Sequence, residues 1–550
     1  MIKKIFKNKL KILLFLTIFV IACILRFYQL QNVPPGVNRD EASIGYTAYS
    51  LLQTGKDEYG RLFPVSFESF GDWKLPLYIY TVVPFVYVFG LSELAVRLPS
   101  VIFGVFSVVL TFYFVKLLFK DNRLAFLTMF LAAISPWSIH LSRVESESNT
   151  AVFLVLLGMI FFLKSLNKNW LIIPSLISLA LTYFTYAGNH IFTTLLIIGT
   201  FFIYRDKISK TKFTLIGVVL FALMSGFIFY HTLLMADKTK ISGIGIFGDP
   251  SIVHTKIEMP RNEHTNPQSF LARITHNKIV FLGKTIGQNY LNAFSPQFLF
   301  INGGTNHAHN IIDFGNMYLV EAPFLFFGLI YLFAIKKGRE KRLILLWFLI
   351  APIAASITKD APHTNRMFAI FPTLSLITSF GILYLLTDYF KKPIFRKIFI
   401  MLTVFMFLIN FTVYIDRYYI HFARNETKSW GFIYKNLIAS LQEENLINKN
   451  IVVSQPTRSP YIFFLFYLKY DPAAYQKESI RYPKTADGFS DVMNFANFTF
   501  RDLDWGKDIN LSDTVLVDDY INSPHDSVGK RTTYTYLPSG EPMFTIAATK

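Results

Sequence analysis

Long apolar runs recur along most of this chain of 550 residues, and they constrain its fold more than any other feature. Runs of roughly 16–22 residues follow one another between Leu10 and Tyr414, and a helix of about 20 apolar residues crosses the hydrocarbon of a bilayer. The mean hydropathy is +0.39, and 52% of the residues are hydrophobic. These values exclude a soluble globular protein and predict a polytopic α-helical membrane protein.

About eleven runs are predicted to span the membrane. One further apolar stretch, Pro76–Leu91, is predicted to lie along the membrane interface instead. It carries Tyr78, Tyr80 and Tyr87, which are typical of headgroup depth, and Pro84 interrupts it. The predicted spans are 10–26, 99–119, 124–141, 150–165, 170–187, 190–204, 213–233, 318–335, 343–357, 367–388 and 397–415.

The distribution of basic residues orients these spans. The formal net charge is +18, and Lys and Arg cluster in short loops such as 205–212, 336–342 and 391–397. Because cytoplasmic loops carry the excess of Lys and Arg, these clusters are cytoplasmic only if Pro76–Leu91 does not cross. We therefore expect a plasma-membrane protein with a cytoplasmic N-terminus and an extracytoplasmic C-terminus. Charge in short loops does not indicate a nucleic-acid partner.

The predicted organisation is a transmembrane domain over 1–415 and a small extracytoplasmic α/β domain over 416–550. The transmembrane domain contains two large outer regions, a first outer loop over 27–98 and a long outer loop over 234–317. Interfacial helices are expected in the first of these. The tail lacks long apolar runs and has strand-like and helix-like pieces. The only cysteine, Cys23, lies in the first apolar run, so no intrachain disulfide is possible.

An acidic pair, Asp40-Glu41, opens a predicted helix about a dozen residues after the first span. Asn38 and Glu41 have the spacing of a capping box, which is a purely structural role. A helix N-terminus also keeps a carboxylate ionised and able to act as a base. Neighbouring side chains on a helix point about 100° apart, so one of the pair would face a substrate while the other caps or orients.

Cations at the outer surface accompany this pair. Lys74, just before the interfacial stretch, either snorkels to the interface or binds a lipid phosphate. His363 and Arg366 bracket the start of a late span, where they either anchor the helix or clamp a phosphate. Arg143 lies on the outer side against the charge bias, beside Glu145, and either contacts a substrate or pairs with a carboxylate four residues on.

Other chemistries find little support in the sequence. His307 and His309 lack a carboxylate pair nearby, so a divalent metal is not expected. P-loop, HExxH and GxSxG motifs are absent, which argues against nucleotide-driven transport and common hydrolase chemistry. A lipid or glycolipid flippase without transferase activity remains the alternative. It would place ionisable residues at mid-membrane, where this chain has few. A non-catalytic scaffold is a third possibility.

Three segments together resemble a known family. They are Asp40-Glu41-Ala42 with Gly45-Tyr46, then Lys74-Leu75-Pro76-Leu77-Tyr78, then the stretch from Gly90 to Ser100. This combination resembles the C-type (GT-C) integral-membrane glycosyltransferases, and within them the protein O-mannosyltransferases and the aminoarabinose–lipid A transferase. The resemblance is strongest over 20–165 and does not extend into the tail.

The resemblance implies transfer of a monosaccharide from a polyprenyl-phosphate donor, on the non-cytoplasmic face and with inversion. It implies Asp40 as the base with Glu41 beside it, and Lys74 and, more loosely, Arg366 on the donor phosphate. His363 is a further candidate there, and Arg143, Glu145 and Tyr46 are candidate acceptor or sugar contacts. The Trp-Trp-Asp motif of oligosaccharyltransferases is absent, which argues against transfer of an oligosaccharide to asparagine. The acceptor stays open among a lipid, a glycan and a protein.

Overall fold

The computed structural model describes residues 2–232, 245–247, 251–485, 488–524 and 531–549. The chain divides into two compact units. We call the first the membrane unit; it comprises Met1–Tyr28, Ser100–Ser142 and Ser146–Ile415. We call the second the α/β unit; it comprises Gln29–Pro99, Arg143–Glu145 and Asp416–Lys550.

Long apolar helices confirm a polytopic α-helical membrane protein. Six helices of the described residues are long and apolar enough to cross a bilayer, and a bent pair makes a seventh. The six are Lys9–Phe27, Glu93–Phe119, Glu147–Ser165, Lys212–Tyr230, Thr364–Tyr389 and Pro393–Asn425. The shorter apolar helices are Pro76–Phe89, Asn169–Phe184, Gly188–Tyr204 and Glu321–Ala334. The predicted count of eleven is not confirmed.

Breaks in helices account for part of this difference. The predicted span 124–141 is two helices, Asn122–Ile134 and Pro136–Arg143, bent by 54°. Ser135 between them is extended (φ −59°, ψ 126°), because the residue before a proline is pushed out of the helical region. Between Ser251 and Phe371, where the structure describes every residue, the α-helices are Ser251–Val253, Met259–Asn262, Phe270–Thr275, Lys278–Asn292, Glu321–Ile330, Arg339–Ile350, Ile353–Ser356 and Thr364–Met367. Parts of the predicted outer loop 234–317, namely 234–244 and 248–250, lie outside the described residues.

Short 3-10 and π segments join or extend several helices. The predicted span 170–187 is a composite of this kind, because the α-helix Ile172–Leu181 lies between two 3-10 turns. Among the described residues, the short segments are Asn169–Leu171, Thr182–Phe184, His254–Glu258, Gln297–Ile301, Tyr331–Ile335, Phe368–Ile370, Leu385–Tyr389, Arg417–Phe422, Pro456–Arg458 and Tyr520–Asn522.

The α/β unit contains a seven-stranded sheet and a separate two-stranded hairpin. The strands are β1 Phe67–Ser69, β2 Asp72–Lys74, β3 Asn450–Val453, β4 Ile480–Arg481, β5 Val492–Phe495, β6 Phe498–Phe500, β7 Thr514–Asp519, β8 Arg531–Tyr536 and β9 Pro542–Ala548. The hairpin is β1-β2, and the order of the sheet is β4-β5-β6-β3-β7-β9-β8. Strand β3 lies between β6 and β7 and is parallel to both, whereas the other pairs are antiparallel. Its helices are Arg39–Thr54, Pro76–Phe89, Ala423–Asn425, Phe432–Glu443, Tyr461–Leu468, Pro472–Glu478 and Trp505–Asp508.

One hydrophobic core joins the first loop (29–99) to the tail within the α/β unit. Val96 and Tyr78 from the loop belong to the same buried cluster as Phe466 and Val515 from the tail. Gly45 shows how closely the two approach, since a Cβ atom there would lie 2.7 Å from the Phe466 ring. The tail from Asp416 therefore belongs to the same unit as a loop that the sequence analysis assigned to the transmembrane domain.

The helix Pro76–Phe89 is too short to cross a bilayer. Its 14 residues extend about 21 Å, against roughly 30 Å of hydrocarbon. Tyr87 is 75% exposed, but Tyr78 is fully buried and its hydroxyl donates to the Val96 carbonyl at 2.9 Å. The interpretation of Tyr78 as an interfacial anchor is therefore wrong, whereas the expectation that this stretch does not span fits the helix length.

Candidate functional site

The predicted capping box at the start of the helix Arg39–Thr54 is present. Asn38 is extended, and its Oδ1 accepts the Glu41 N–H at 2.8 Å. In return, Glu41 Oε2 accepts the Asn38 N–H at 3.4 Å. Asp40 takes no part in these two bonds, so the local sequence fixes the helix start through Glu41 and leaves the Asp40 side chain to other partners.

Glu41 is fully buried, and a cation neutralises it. Arg97 donates to both carboxylate oxygens, from Nε to Oε1 at 3.0 Å and from Nη2 to Oε2 at 2.8 Å. The backbone N–H of Glu145 donates to Oε1 at 2.9 Å. With the capping bond, four N–H donors surround this carboxylate, and its side chain is 0% exposed. A fully buried carboxylate with four donors does not reach the proton of an acceptor hydroxyl. Glu41 is therefore suited to a structural role and not to catalysis.

Arg97 holds the first loop together, and sequence reasoning missed this. Besides Glu41, its guanidinium donates to the carbonyls of Leu30 at 2.9 Å, Pro34 at 3.0 Å and Gly36. All five N–H donors of the arginine are thus used. Arg97 lies in the stretch from Gly90 to Ser100 that carries part of the family resemblance. The hydrogen bonds of its guanidinium explain physically why an arginine stands at this position.

Asp40 has opposite surroundings. Its side chain is 50% exposed, and its Oδ1 accepts from Lys74 Nζ at 2.6 Å. Lys74 ends β2, where the hairpin pairs it with Phe67, and its own side chain is only 9% exposed. A half-exposed carboxylate next to a fixed ammonium can meet a substrate hydroxyl, and the ammonium can meet an anion. The structure therefore brings together Asp40 and Lys74, which the sequence singled out 34 residues apart.

Two predicted substrate contacts are interior residues of the α/β unit. Arg143 is fully buried, donates to the Val33 carbonyl at 2.8 Å and lies over the rings of Tyr418 and Tyr419. Tyr46 is also fully buried, and its hydroxyl donates to the Tyr470 carbonyl at 3.2 Å. Burial raises the pKa of the Tyr46 phenol, so it does not ionise near neutral pH. The expectation that these two side chains touch a sugar does not fit their burial.

Glu145 contributes through its backbone, since its N–H donates to Glu41 Oε1. Its side chain is half-buried. It thus lies beside the buried carboxylate, although the sequence suggested it only as a substrate contact.

His363 and Arg366 belong to the membrane unit. The His363 ring accepts the Arg366 N–H at 3.4 Å and so caps a short helix. Burial, with His309 and Arg366 nearby, lowers the pKa of His363 well below its usual range, so it is neutral at pH 7. Its role as a ligand of the donor phosphate stays a prediction. Arg366 donates to Thr358 Oγ1 at 2.7 Å and lies 3.5 Å from Asp360, with a side chain that is 16% exposed.

In the part of the chain that the structure describes, no group of three or more His, Cys, Asp or Glu side chains has the arrangement of a metal site. The cluster near Asp40 is thus built from carboxylates, arginine and lysine.

Comparisons with known proteins agree with the sequence resemblance. Residues 16–229 match the model of the family described as dolichyl-phosphate-mannose-protein mannosyltransferase. The fold is similar to that of ArnT from Cupriavidus metallidurans bound to undecaprenyl phosphate, with a TM-score of 0.54, 12% identity, and coverage of 97% of this chain and 98% of that one. No curated protein sequence matches the chain significantly.

The fold is also similar to that of the oligosaccharyltransferase from Archaeoglobus fulgidus in the apo form. The TM-score is 0.51 at 14% identity, over 84% of this chain and 64% of that chain. This chain therefore spans slightly less than two thirds of the archaeal enzyme. These similarities show that the chain shares the fold of ArnT and of the archaeal enzyme, and the family match over 16–229 supports a multi-pass membrane protein.

Proposed function

We propose that this chain is a GT-C glycosyltransferase that moves one monosaccharide from a polyprenyl-phosphate donor to an acceptor hydroxyl, on the extracytoplasmic face of the plasma membrane and with inversion. The observation that carries the proposal is the contrast between Asp40, half-exposed and 2.6 Å from the Lys74 ammonium, and the fully buried Glu41. The lipid donor is supported by two relatives of the same fold. ArnT is bound to undecaprenyl phosphate, and the archaeal enzyme AglB is in complex with a dolichol-phosphate.

Asp40 is the general base in this proposal. The acceptor hydroxyl has a pKa far above 7, so its proton passes to the Asp40 carboxylate as the acceptor oxygen bonds to the anomeric carbon. The bond from that carbon to the phosphate oxygen breaks at the same time, and the electron pair leaves on the lipid phosphate. Lys74 stabilises the charge that develops there. Arg366 remains a predicted phosphate ligand on the membrane unit.

Inversion constrains where the side chains of Asp40 and Lys74 lie during the reaction. In an inverting displacement, the base and the leaving group act on opposite faces of the sugar ring. While Lys74 is 2.6 Å from Asp40, the same ammonium would have to serve both the base and the departing phosphate. The resting ion pair separates when the donor binds, which frees the Asp40 carboxylate for the acceptor. In the resting state, the pair holds Lys74 in place.

The test compares envelope lipids, glycans and proteins from three cell lines by mass spectrometry. One line lacks the chain, one expresses it, and one expresses Asp40→Asn at the same level. A transferase adds the mass of one monosaccharide to a product in the parent line, and the product is absent from the other two. A flippase without transferase activity instead restores the same products in the Asp40→Asn line as in the parent, which would refute the proposal.

A further inference from the structure

An apolar groove with a volume of about 530 Å³ lies in the membrane unit. Among the described residues that line it, Thr403 is the only one with a polar side chain. Ile24, Val404 and Leu408 line the groove and are each more than half exposed, so the groove is open on its outer side. Its walls come from four helices, Lys9–Phe27, Asn122–Ile134, Thr364–Tyr389 and Pro393–Asn425.

The helix Pro393–Asn425 forms one wall of the groove and is poorly covered by protein. In its most apolar stretch 6% of the residues are buried, against 83% in Thr364–Tyr389. Two of its rings pack inward, since Phe399 and Phe407 lie 6.0 and 6.2 Å from the ring of Phe324. The groove lies beside these contacts and is not filled by side chains. Because an apolar gap does not hold ordered water, hydrocarbon from outside the chain fills it in a bilayer.

The length of the groove suits a lipid chain. On the helix Pro393–Asn425 its lining extends from Phe399 to Phe411, which is about 18 Å along the helix axis. One leaflet of a bilayer provides about 15 Å of hydrocarbon. A single acyl chain that runs parallel to the helix therefore fits the groove in length.

Exposed cations stand at one end of the groove. They lie in the segment that joins two of its walls and in the first turns of the second wall, and they are Lys391, Lys392, Arg396 and Lys397. Asp388 is the only acidic residue from 385 to 397. Arg396 lies four residues before Ile400, which lines the groove, so the two side chains share one face of the helix. The stripe of groove residues thus ends in a cation.

The predicted orientation of the chain tells which lipid meets these cations. The density of Lys and Arg predicts that the segment 391–397 is cytoplasmic. The cytoplasmic leaflet carries anionic lipids, and basic pockets between helices on that side bind lipid headgroups. A zwitterionic headgroup would bring its own cation to the cluster, whereas an anionic phospholipid brings only negative charge. The charge at this end of the groove therefore favours an anionic phospholipid.

The donor of the proposed reaction does not account for this cluster. Arg366, the predicted ligand of the donor phosphate, lies in the first turn of the helix Thr364–Tyr389, and Lys391 follows the last turn. The helix has 26 residues, so about 39 Å separates its two ends. A donor phosphate at Arg366 leaves the cations at the other end for a different anion.

We infer that the groove binds an anionic phospholipid of the cytoplasmic leaflet, with one acyl chain along the helix Pro393–Asn425 and the phosphate beside Lys392 and Arg396. The bound lipid fastens this poorly covered helix to the rest of the membrane unit. The inference does not depend on sugar transfer, since it uses none of the residues proposed for the reaction.

The test titrates the delipidated full chain in detergent with single lipids and resolves each bound molecule by native mass spectrometry. The probes are dioleoyl phosphatidylglycerol, which is anionic, dioleoyl phosphatidylcholine, which is zwitterionic with the same chains, and undecaprenyl phosphate. The headgroup variant is Lys392→Gln/Arg396→Gln. Its matched control is Lys207→Gln/Lys210→Gln, which removes two exposed cations from another predicted cytoplasmic loop that does not line the groove.

A second pair of variants tests the acyl chain. Val404→Trp places a large ring in the groove. Met401→Trp is the matched control, because Met401 is 65% exposed on the same helix and does not line the groove. Phosphatidylglycerol binding should weaken about tenfold in Val404→Trp, which is the effect of displacing about two methylene groups, and should not change in Met401→Trp. Both side chains are exposed, so neither substitution should unfold the chain.

The parent chain should bind phosphatidylglycerol about tenfold more tightly than phosphatidylcholine. Each cation near a headgroup contributes about fivefold, so Lys392→Gln/Arg396→Gln should weaken phosphatidylglycerol binding about 25-fold. The control pair at Lys207 and Lys210 should change it little. Binding of undecaprenyl phosphate should be the same in Val404→Trp as in the parent.

Equal binding of the two phospholipids, or equal losses in the two double variants, would overturn the inference, because the charge would then act without a defined site. Weaker binding of undecaprenyl phosphate by Val404→Trp would also overturn it and would assign the groove to the tail of the donor. A parent dimer that Val404→Trp dissociates would show instead that a second copy of the chain covers the groove.

Discussion

Asp40 and Glu41 are adjacent in the sequence but lie in two contrasting regions of the α/β unit. The buried region around Glu41 and Arg97 is a closed ion pair in which every donor of the arginine is used. The open region around Asp40 and Lys74 is an ion pair with one half-exposed member. The comparison teaches that the number of hydrogen-bond donors and the access of solvent distinguish a structural carboxylate from a catalytic one. Two carboxylates that are neighbours in the sequence can therefore have different roles.

The largest effect on stability is expected at the buried pair. Arg97→Met leaves Glu41 buried without its cation and releases three backbone carbonyls. Breaking a buried pair in this way costs about 3–5 kcal/mol in the free energy of unfolding. Denaturant unfolding of the purified full chain measures it. Arg339→Met removes an exposed pair with Asp206 and should cost about 1 kcal/mol or less, so equal losses would contradict a structural role for the buried pair.

A second buried carboxylate shows what happens when its cation is farther away. Glu58 is fully buried, its nearest ion-pair contact to Arg481 is 3.7 Å, and neither of its oxygens has a hydrogen-bond partner among the described residues. Burial raises the pKa of Glu58 from 4.5 to about 7, although Arg481 opposes the shift. The folded chain therefore holds a proton that the unfolded chain releases above pH 4.5.

The sign of the pH dependence follows from this raised pKa. The stabilisation from Glu58 is complete below pH 4.5 and is lost as the pH rises through about 7, by roughly 3 kcal/mol in all. Glu58→Gln stays neutral at every pH, so it should flatten the slope of unfolding free energy between these limits. If the slope is the same in parent and variant, Glu58 is ionised throughout this range.

At the open pair, we expect an effect on the donor and not on the fold. Lys74→Ala removes the ammonium proposed to contact the phosphate, which should weaken donor binding about 10–100-fold. Lys337→Ala, in a predicted cytoplasmic loop, is the matched control and should change donor affinity little. Titration with a polyprenyl-phosphate sugar in nanodiscs measures both. Equal, small effects at the two lysines would leave only a structural role for Lys74.

The smallest effect is expected at a pair of intermediate burial. Lys435 Nζ lies 2.8 Å from Glu93 in the α/β unit, with 42% and 13% of the side chains exposed. Lys435→Met should cost about 1 kcal/mol in unfolding free energy, because the lysine is partly solvated. If Lys435→Met lowered the free energy of unfolding as much as Arg97→Met does, the exposed fraction of a side chain would not predict how much its ion pair contributes to stability. The same denaturant assay measures it.

The local features of the site were predictable from the sequence. The spacing from Asn38 to Glu41 predicts the capping box, and the helix length of Pro76–Phe89 agrees with the expectation that this stretch does not span. Both depend on residues close together in the chain. The apolar runs likewise predict a polytopic helical protein, although not where proline breaks a run, as before Pro136.

The long-range partners were not predictable. The contact between Arg97 and Glu41 joins residues 56 positions apart, and nothing in the local pattern of either identifies the other. Arg143 was predicted to lie on the outer side and either to contact a substrate or to pair with a carboxylate. It is buried under Tyr418 and Tyr419, which the sequence places in a different segment. A single sequence shows where the charged residues are, but not which of them are buried or paired in the folded chain.

The central claim is that the open carboxylate does the chemistry and the buried one holds the structure. The most direct measurement scores Asp40→Asn and Glu41→Gln side by side, for the rate of sugar transfer and for unfolding, in the same preparation. Asp40→Asn should unfold like the parent and transfer about 10²–10⁴-fold more slowly. Glu41→Gln should unfold more easily, and its folded fraction should still transfer sugar. Transfer at the parent rate by Asp40→Asn would contradict the claim, and loss of transfer by stably folded Glu41→Gln alone would reverse the two roles.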